Sequence, residues 1–250
     1  ISPDPVRDRE TIRLEDAVAG EEYPVSGGRR CLLVDTPVCE IEQRQGLDSR
    51  FIEAAADPDS PLSRRLHGAN EGRAVSPGDI VFMDIETTGL SNVPLFLIGI
   101  MVWDDRGLRV LQYLARSYAE EAGVIDAYCR RISEASVLVT FNGKSFDVPY
   151  IRTRAVATGV EYTTPPNHID LLHESRRAWK HVLPNCKLQT LEDRICGHGV
   201  RVGDIPGAEI GEAYHAFVRT GNAVQIVDIL KHNLLDLITL AEILVKLDEE

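Results

Sequence analysis

Two carboxylic acids follow an apolar stretch of the chain at a spacing that suits metal binding. Asp84 and Glu86 come directly after Ile80-Val81-Phe82-Met83, a run typical of a strand in the centre of a sheet. Side chains two positions apart on a strand point to the same face, so the two carboxylates project together and repel each other. A cation such as Mg²⁺ or Mn²⁺ relieves that repulsion, because hard ions take oxygen ligands. The alternative is a solvated strand end without a role.

The residues after this pair favour the metal hypothesis. Thr87 and Thr88 provide hydroxyl groups in a turn, and Gly89 lets a backbone approach a phosphate closely. Leu90 follows directly.

A third acid, Asp147, stands after the next apolar run, 137–141, at the end of the segment Asn142-Gly143-Lys144-Ser145-Phe146. Pro149 comes two residues later, where an early helical position tolerates proline. Asp147 therefore fits two roles, a helix N-cap and a carboxylate directed into a cleft, and one residue can fill both.

His232 and Asp236 lie four residues apart within a long apolar segment, 223–247, that predicts a C-terminal helix. Four positions place the two side chains on one helix face, about one turn apart. A hydrogen-bonded structural pair and a catalytic pair both fit this spacing.

The elements around these residues predict an α/β fold. Apolar runs predict strands at 80–83, 95–103, 108–114 and 137–141, and periodic patterns predict helices at 120–133, 148–158, 188–195, 212–220 and 223–247. Three strands, a helix, a strand, a helix and then mostly helices describe a mixed sheet covered by helices.

Residues 1–78 differ in pattern and are predicted to form a small N-terminal extension, separate from a domain at 79–250. A helical turn is expected at 14–19, a hairpin from Tyr23 to Val34 with its turn at Ser26-Gly27-Gly28, and a short helix at 51–56. Breakers at Ser76-Pro77-Gly78-Asp79 place the boundary.

Composition limits the possible classes. No run approaches the roughly 18 apolar residues that a membrane span needs. The five cysteines are scattered without a Cys-x-x-Cys pair, which favours reduced thiols and a cytoplasmic protein. A zinc site of Cys186, Cys196 and His198 is a weaker alternative, since no fourth ligand is evident. The net charge of -12 predicts weak, salt-sensitive binding of nucleic acid, aided by a partner that supplies processivity.

The three acidic segments resemble a known family. Asp84-Ile85-Glu86-Thr87-Thr88-Gly89, the block from Asn142 to Asp147 and His232-Asn233-Leu234-Leu235-Asp236 resemble the three ordered motifs of the DEDD superfamily of ribonuclease-H-like 3'→5' exonucleases. The segments 168–173 and 183–192 are similar, more narrowly, to the YprB-type ribonuclease-H-like domain. The resemblance covers about residues 79–245.

This resemblance implies a ribonuclease-H-like mixed five-stranded sheet flanked by helices, and a metal-dependent 3'→5' exonuclease that acts on single-stranded DNA or RNA. It assigns two divalent ions, Mg²⁺ or Mn²⁺, to four acids: Asp84, Glu86, Asp147 and Asp236. One ion would lower the pKa of a bound water and the other would stabilise the leaving oxygen. His232 stands where the tyrosine branch of the superfamily has Tyr, and it is expected to orient or deprotonate that water.

Further residues are expected to contact substrate: Thr87, Gly89, Leu90, Asn142, Lys144 and Phe146. Leu90 resembles an apolar wedge between terminal bases, and Phe146 suits stacking on a base, although both also suit a core. Positive charges follow the second motif, either along a phosphate path or on a solvated face: Lys144, Arg176, Arg177, Lys180 and Lys187.

His168, Asp170 and His173 are expected to make structural hydrogen bonds. Two alternatives to the exonuclease remain. One is an endonuclease or small-nucleotide phosphodiesterase, and the other is a non-catalytic nucleic-acid-binding module.

Overall fold

The computed structural model describes residues 11–41, 44, 46–57, 59–70, 74–164 and 167–249. Within this part, strands come in groups of two or three in the first half of the chain, and helices predominate in the second half. The strands are β1 (Glu21–Pro24), β2 (Arg30–Pro37), β3 (Ile80–Thr87), β4 (Leu95–Asp104), β5 (Gly107–Leu114), β6 (Val137–Thr140) and β7 (Asn167–Asp170). The helices are α1 (Leu14–Ala17), α2 (Leu47–Ala56), α3 (Pro61–Ala69), α4 (Glu121–Ile132), α5 (Asp147–Thr158), α6 (Leu171–Trp179), α7 (Leu188–Leu191), α8 (Gly207–Thr220) and α9 (Val224–Lys246).

All seven strands form one mixed sheet in the order β1-β2-β5-β4-β3-β6-β7. Four neighbouring pairs are antiparallel, namely β1–β2, β2–β5, β5–β4 and β4–β3. The pairs β3–β6 and β6–β7 are parallel. The predicted α/β class is confirmed, but the predicted number of five strands is wrong. The hairpin β1–β2, expected in the extension, pairs through β2 with β5, which covers an edge that would otherwise expose unpaired backbone groups.

The hairpin follows the predicted pattern, with Gly27 and Gly28 at positive φ in its turn. The sheet thus crosses residue 78, while the division of the chain into two folding units at that point stays a prediction. The sequence patterns do not predict three of these elements, namely α3, β7 and α6.

The apolar run in β3 is buried on both faces of the sheet. Val81, Met83 and Ile85 pack into a cluster with residues of α4, α5 and α8. Ile80 and Phe82 pack into a second cluster with residues of α2 and α9. This double burial explains why β3 begins as a continuous apolar run without polar alternation. No described helix combines the length and apolar content needed to cross a bilayer.

Candidate active site

The first motif lies on the sheet face that packs against α9. Asp84 of β3 pairs with Gly99 of β4, and Gly99 pairs in turn with Gln112 of β5. Gly99 is required here because a Cβ at this position would lie only 2.0 Å from Oδ1 of Asn233 in α9. The missing side chain gives α9 room to approach the sheet.

Asn233 fills this space and connects the third motif to the first. Its side chain is fully buried, and its Nδ2 donates to Oδ2 of Asp84 at 2.8 Å. Its Oδ1 accepts from Nε2 of Gln112 at 2.9 Å, and Gln112 also donates to the carbonyl of Leu230 at 2.8 Å. A buried amide with its hydrogen bonds made fixes the orientation of both partners. Asn233 therefore holds the Asp84 carboxylate in place.

The second motif reaches β3 through Asp147. Asp147 is the first residue of α5, follows the cap residue Phe146 and is buried. The backbone groups of Asp147 itself and of Ile85 act on its carboxylate and oppose the rise of its pKa, and Ile85 lies between the two acids of the first motif. The N-cap role expected of Asp147 is therefore wrong, because Phe146 occupies that position and makes no side-chain capping hydrogen bond. The role of the Asp147 carboxylate in the site stays a prediction.

Asp170 shapes the loop that leads to Asp147. Its carboxylate accepts from the N–H groups of Asn142 at 2.8 Å, Lys144 at 3.1 Å and Leu172 at 3.1 Å. Asn142 has a φ of 62°, an uncommon value for a non-glycine residue, and its hydrogen bond to Asp170 supports that conformation. His168 bonds Oγ1 of Thr140 at 2.8 Å. The structural hydrogen-bonding role predicted for His168 and Asp170 is confirmed, whereas His173 is exposed.

Asp236 contacts two nitrogen groups. Nη1 of Arg201 lies 2.7 Å from its Oδ1, and Nε2 of His232 lies 3.6 Å from its Oδ2. No local pattern in the sequence marks Arg201, which belongs to the loop between residue 196 and α8 and has only 9% of its side chain exposed.

Arg201 also belongs to a buried network of ion pairs. Its Nε lies 2.6 Å from Oε2 of Glu192, and Nη2 of Arg44 lies 2.9 Å from Oε1 of the same carboxylate. Arg44 and Glu192 are 3% and 2% exposed. Arg44 also pairs with Glu242, which in turn contacts His198. A chain of buried charges thus connects Asp236 to Glu242, further along α9.

Burial and mutual repulsion disfavour the charged forms of the four acids. Burial, followed by the charges of Asp236 and Asp147, raises the pKa of Asp84 well above its ordinary value, against the hydrogen bond from Asn233. Burial and the charges of Asp84 and Asp236 likewise raise the pKa of Glu86. Burial raises the pKa of Asp147 to about 7. Burial also raises the pKa of Asp236, against the opposing charges of His232 and Arg201. The four acids therefore form one electrostatic cluster.

The chemistry of this cluster fits divalent cations. Four carboxylates supply the hard oxygen donors that Mg²⁺ and Mn²⁺ prefer, and their repulsion is the kind that a cation relieves. As the side chains are placed, no three His, Cys, Asp or Glu residues of the described chain come close enough to hold one ion. Asp236 is paired with Arg201 at 2.7 Å, so joint ligation by all four acids requires a side-chain rearrangement.

The raised pKa of Asp147 predicts how stability depends on pH. In EDTA, the contribution of this group should be fully favourable below pH 4 and should be lost as the pH rises to about 7. Between these values the unfolded chain has released the proton while the folded chain retains it, and each pKa unit corresponds to about 1.4 kcal/mol. Urea unfolding measures this effect. As the pH rises through this window, the free energy of unfolding of the wild type should fall relative to that of Asp147→Asn.

Two comparisons sharpen this test. Asp105→Asn, in an exposed turn, should follow the wild type at every pH. Excess Mn²⁺ should raise the stability of the wild type above pH 7, because an ion bound only by the folded state stabilises it. Parallel pH curves for the wild type and Asp147→Asn would contradict the assignment of the raised pKa to Asp147.

Two of the predicted substrate contacts, Leu90 and Phe146, line a small cavity. Leu90 is 87% exposed, which excludes the core alternative for this residue, whereas Phe146 is half-buried with its ring 5.4 Å from that of Tyr150. The hydroxyl of Tyr150 donates to the carbonyl of Gly89 at 3.1 Å, and Oγ1 of Thr87 donates to the same carbonyl at 2.7 Å. The cavity measures about 220 Å³ and is lined by Leu90, Ser91, Asn92, Ser145, Phe146, Pro149, Tyr150, Thr153 and Arg154.

The polar groups expected to contact substrate are accessible. The side chains of Asn142 and Lys144 are exposed beside this region. The remaining basic residues of the predicted phosphate path are exposed as well, namely Arg176, Arg177, Lys180 and Lys187. Arg177 pairs with Glu174 at 3.0 Å, which leaves the solvated-face alternative open for that position.

The zinc alternative finds no support in the described part of the chain. All five cysteines are free of disulfides. Sγ of Cys186 lies 3.9 Å from the carbonyl of Ser175, and Nε2 of His198 bonds Glu242 at 2.9 Å. None of the described His, Cys, Asp and Glu side chains form a metal-holding group that includes these residues.

Comparison with known proteins identifies the class to which this fold and site belong. Residues 81–248 match the RNase_H_2 family of the RNase_H superfamily, so the chain belongs to that superfamily. Its members typically hydrolyse nucleic acids and generally use divalent metal ions.

Within curated proteins, the chain is similar to the uncharacterized protein YprB of Bacillus subtilis (strain 168). The two are 30% identical over 184 residues, which make up 71% of this chain and 44% of the relative. The chain thus spans less than half the length of that relative.

A solved structure shares the fold. The family B DNA polymerase from the hyperthermophilic archaeon Pyrobaculum calidifontis matches with a TM-score of 0.50 and 18% identity, over 65% of this chain and 23% of the polymerase chain. At this level of identity the likeness concerns the fold alone.

Proposed function

We propose that this chain is a metal-dependent 3'→5' exonuclease that hydrolyses the terminal phosphodiester bond of single-stranded nucleic acid. The observation that carries the proposal is the electrostatic cluster formed by acids from three distant segments around β3. Asp84 and Glu86 come from β3 itself, Asp147 from the start of α5, and Asp236 from the middle of α9. Like charges are costly to bury together, and a cation-binding function accounts for that cost.

Each residue has a task in this proposal. Asp84, Glu86, Asp147 and Asp236 would hold two divalent ions, Mg²⁺ or Mn²⁺. When bound, such ions activate a water nucleophile and stabilise the negative charge that develops on the leaving oxygen. His232 would orient the attacking water and accept its proton at Nε2, the ring nitrogen nearest Asp236.

The substrate contacts follow from the accessible groups around the cluster. The exposed Leu90 would contact the last base, and Phe146 would stack beside it. Thr87 and Gly89 would bring their turn into contact with the terminal nucleotide. Asn142 and Lys144 would contact the phosphates. A cytoplasmic location and a partner that supplies processivity stay predictions, the second because the net charge of -12 disfavours tight binding of a polyanion.

The test is a time course on single-stranded DNA and RNA carrying a label at the 5' end, with EDTA, Mg²⁺ or Mn²⁺. We expect the labelled strand to shorten by one nucleotide at a time, and only with a divalent ion. A strand whose last linkage is a phosphorothioate should resist shortening and serves as the control for direction.

The alternatives give different products in the same experiment. Internal fragments at the first time points would show that the chain is an endonuclease instead. Hydrolysis of dinucleotides alone would show that it is a small-nucleotide phosphodiesterase. Retention of the intact strand in a gel shift, without any loss of length, would leave a binding module.

A further inference from the structure

His232 is held, through the ring nitrogen farther from Asp236, by a residue outside the three motifs. Its Nδ1 lies 2.9 Å from Oδ1 and 3.0 Å from Oδ2 of Asp204, which belongs to the loop before α8. The side chains are 12% and 13% exposed. Both oxygens of one carboxylate therefore face one ring nitrogen in a largely desolvated place, where a hydrogen bond is strong.

The chemistry of this contact assigns the protons of the ring. An ionised carboxylate only accepts hydrogen bonds, so Nδ1 must be the nitrogen that carries hydrogen. In neutral imidazole the other nitrogen then carries the lone pair. That nitrogen, Nε2, lies on the side of Asp236, with 3.6 Å between Nε2 and Oδ2 of the acid. When the ring is neutral, the contact thus presents a proton acceptor to the acidic cluster.

Asp204 is itself fixed by a second layer. Nη1 of Arg201 lies 3.4 Å from Oδ2 of Asp204 and 2.7 Å from Oδ1 of Asp236. Nε of the same guanidinium is paired with the buried Glu192. Arg201 and His232 therefore both bridge Asp204 and Asp236 in a closed ring of side chains. Such support from packed neighbours limits the ways in which a catalytic side chain can turn.

We infer that Asp204 is a positioning residue: it fixes the tautomer and the ring orientation of His232 so that Nε2 faces the acidic cluster. The inference deepens the proposed function and rests on it for the catalytic task of His232. The tautomer itself is a property of the folded chain and can be measured whether or not the chain is a nuclease. The same division of labour operates where an Asp accepts from Nδ1 of the histidine in a serine-protease triad.

The kinetic test uses Asp204→Asn. An amide can donate to Nδ1, which moves the ring hydrogen to Nε2 and removes the acceptor from the cluster. We expect kcat to fall by about 10- to 100-fold, the effect typical of losing the partner of an active-site histidine, with KM nearly unchanged. Asp204→Glu, which keeps the carboxylate, should recover part of the loss.

A double variant tests whether Asp204 acts through His232. If it does, His232→Ala should lose no further activity when Asp204→Asn is added, because the partner of the contact is already gone. A full additional loss in the double variant would overturn the inference, since Asp204 would then act by another route.

A spectroscopic measurement separates this inference from the nuclease proposal. In the wild-type chain in EDTA, the ¹⁵N shifts of labelled histidine should show that His232 carries hydrogen on Nδ1. The His232 signal is assigned as the one that is missing from the spectrum of His232→Ala. Asp204→Asn should move that signal towards the other tautomer. The control Tyr118→Phe removes the hydroxyl partner of His215, which lies outside this network of ion pairs, and should leave the His232 signal in place.

The outcomes are distinct for the two proposals. A wild-type chain without hydrolysis, but with the expected tautomer and its change in Asp204→Asn, would reject the nuclease and keep the positioning role. An unchanged His232 signal in a folded Asp204→Asn chain would reject the positioning role alone. If that variant does not fold, Asp204→Glu supplies the comparison, because its longer side chain should alter the shift of Nδ1 while keeping a carboxylate partner.

Discussion

Asp84→Asn is expected to abolish metal-dependent hydrolysis while making the folded chain more stable. The amide removes one charged oxygen donor from the cluster but can still accept the hydrogen bond from Asn233. We expect turnover to fall by at least about 100-fold, the loss typical when one group that stabilises transition-state charge is removed. Release of the 3' nucleotide from a labelled strand in Mn²⁺ measures it.

The stability of the same variant distinguishes a missing donor from a damaged fold. Because burial and neighbouring acids raise the pKa of Asp84, its charge destabilises the folded state at neutral pH. In EDTA at pH 7.5, removing that charge should raise the free energy of unfolding. Asp105→Asn makes the same chemical change in an exposed turn and should alter neither activity nor stability. Full activity in Asp84→Asn, or lower stability than the wild type, would contradict the role assigned to Asp84.

The parts of the site that could be predicted from the sequence are those whose pattern lies within a short segment of the chain. Each acid follows an apolar run or lies in a periodic helix, so local patterns place it at the end of a strand or on a helix face. Strands β3 to β6 and the long helix α9 were predicted for the same reason. The similarity of the three motifs to a known superfamily then supplied the order in which they combine.

The row of residues beneath α9 shows what local patterns miss. Asp84, Gly99 and Gln112 become neighbours only through the register of three strands, and Asn233 meets them only after α9 has packed. One signal was present in the sequence. A glycine inside the apolar strand 95–103 weakens the strand, so Gly99 indicated a close approach by another part of the chain.

No comparable sequence signal marks the positively charged residues of the site and their partners. Arg201 and Asp204 lie in a glycine-containing loop without periodicity, and Arg44 precedes the whole motif region in the chain. Their contacts depend on how distant segments pack, as when Arg44 reaches Glu192 in the π-helical turn Glu192–Cys196. Pairings between distant charged residues are fixed by the packed fold, which sequence periodicity does not encode.

The strand count failed because the sheet recruits a hairpin from outside the similar region. The resemblance covered about residues 79–245, while β1 and β2 lie before it. Strand β7 has only four residues, and both the strand and the start of α6 depend on Asp170, whose hydrogen bonds cross to the loop after β6. Such a short segment carries too few residues for its alternation to be recognised.

Glu192→Gln is expected to cause a large loss of stability, because Glu192 neutralises two buried guanidinium groups at once. Oε1 pairs with Arg44 at 2.9 Å and Oε2 with Arg201 at 2.6 Å. The substituted amide keeps the size of the side chain, but it turns an NH₂ group towards one of the two cations. Removing one partner of a buried ion pair costs about 3 to 5 kcal/mol, since the remaining charge stays desolvated. Urea unfolding at neutral pH in EDTA measures the change in the free energy of unfolding.

The neighbouring residue supplies a matched control for this prediction. Asp193 pairs with Arg194 at 2.9 Å, but these side chains are 29% and 68% exposed. Solvent screens such a pair, so Asp193→Asn should change the free energy of unfolding by at most about 1 kcal/mol. The two variants remove the same charge from adjacent positions of one helical turn and differ in burial. A loss in Glu192→Gln no larger than that in Asp193→Asn would mean that the two arginines do not depend on Glu192. In that case, this carboxylate would not anchor the loop that presents Arg201 and Asp204 to the acids.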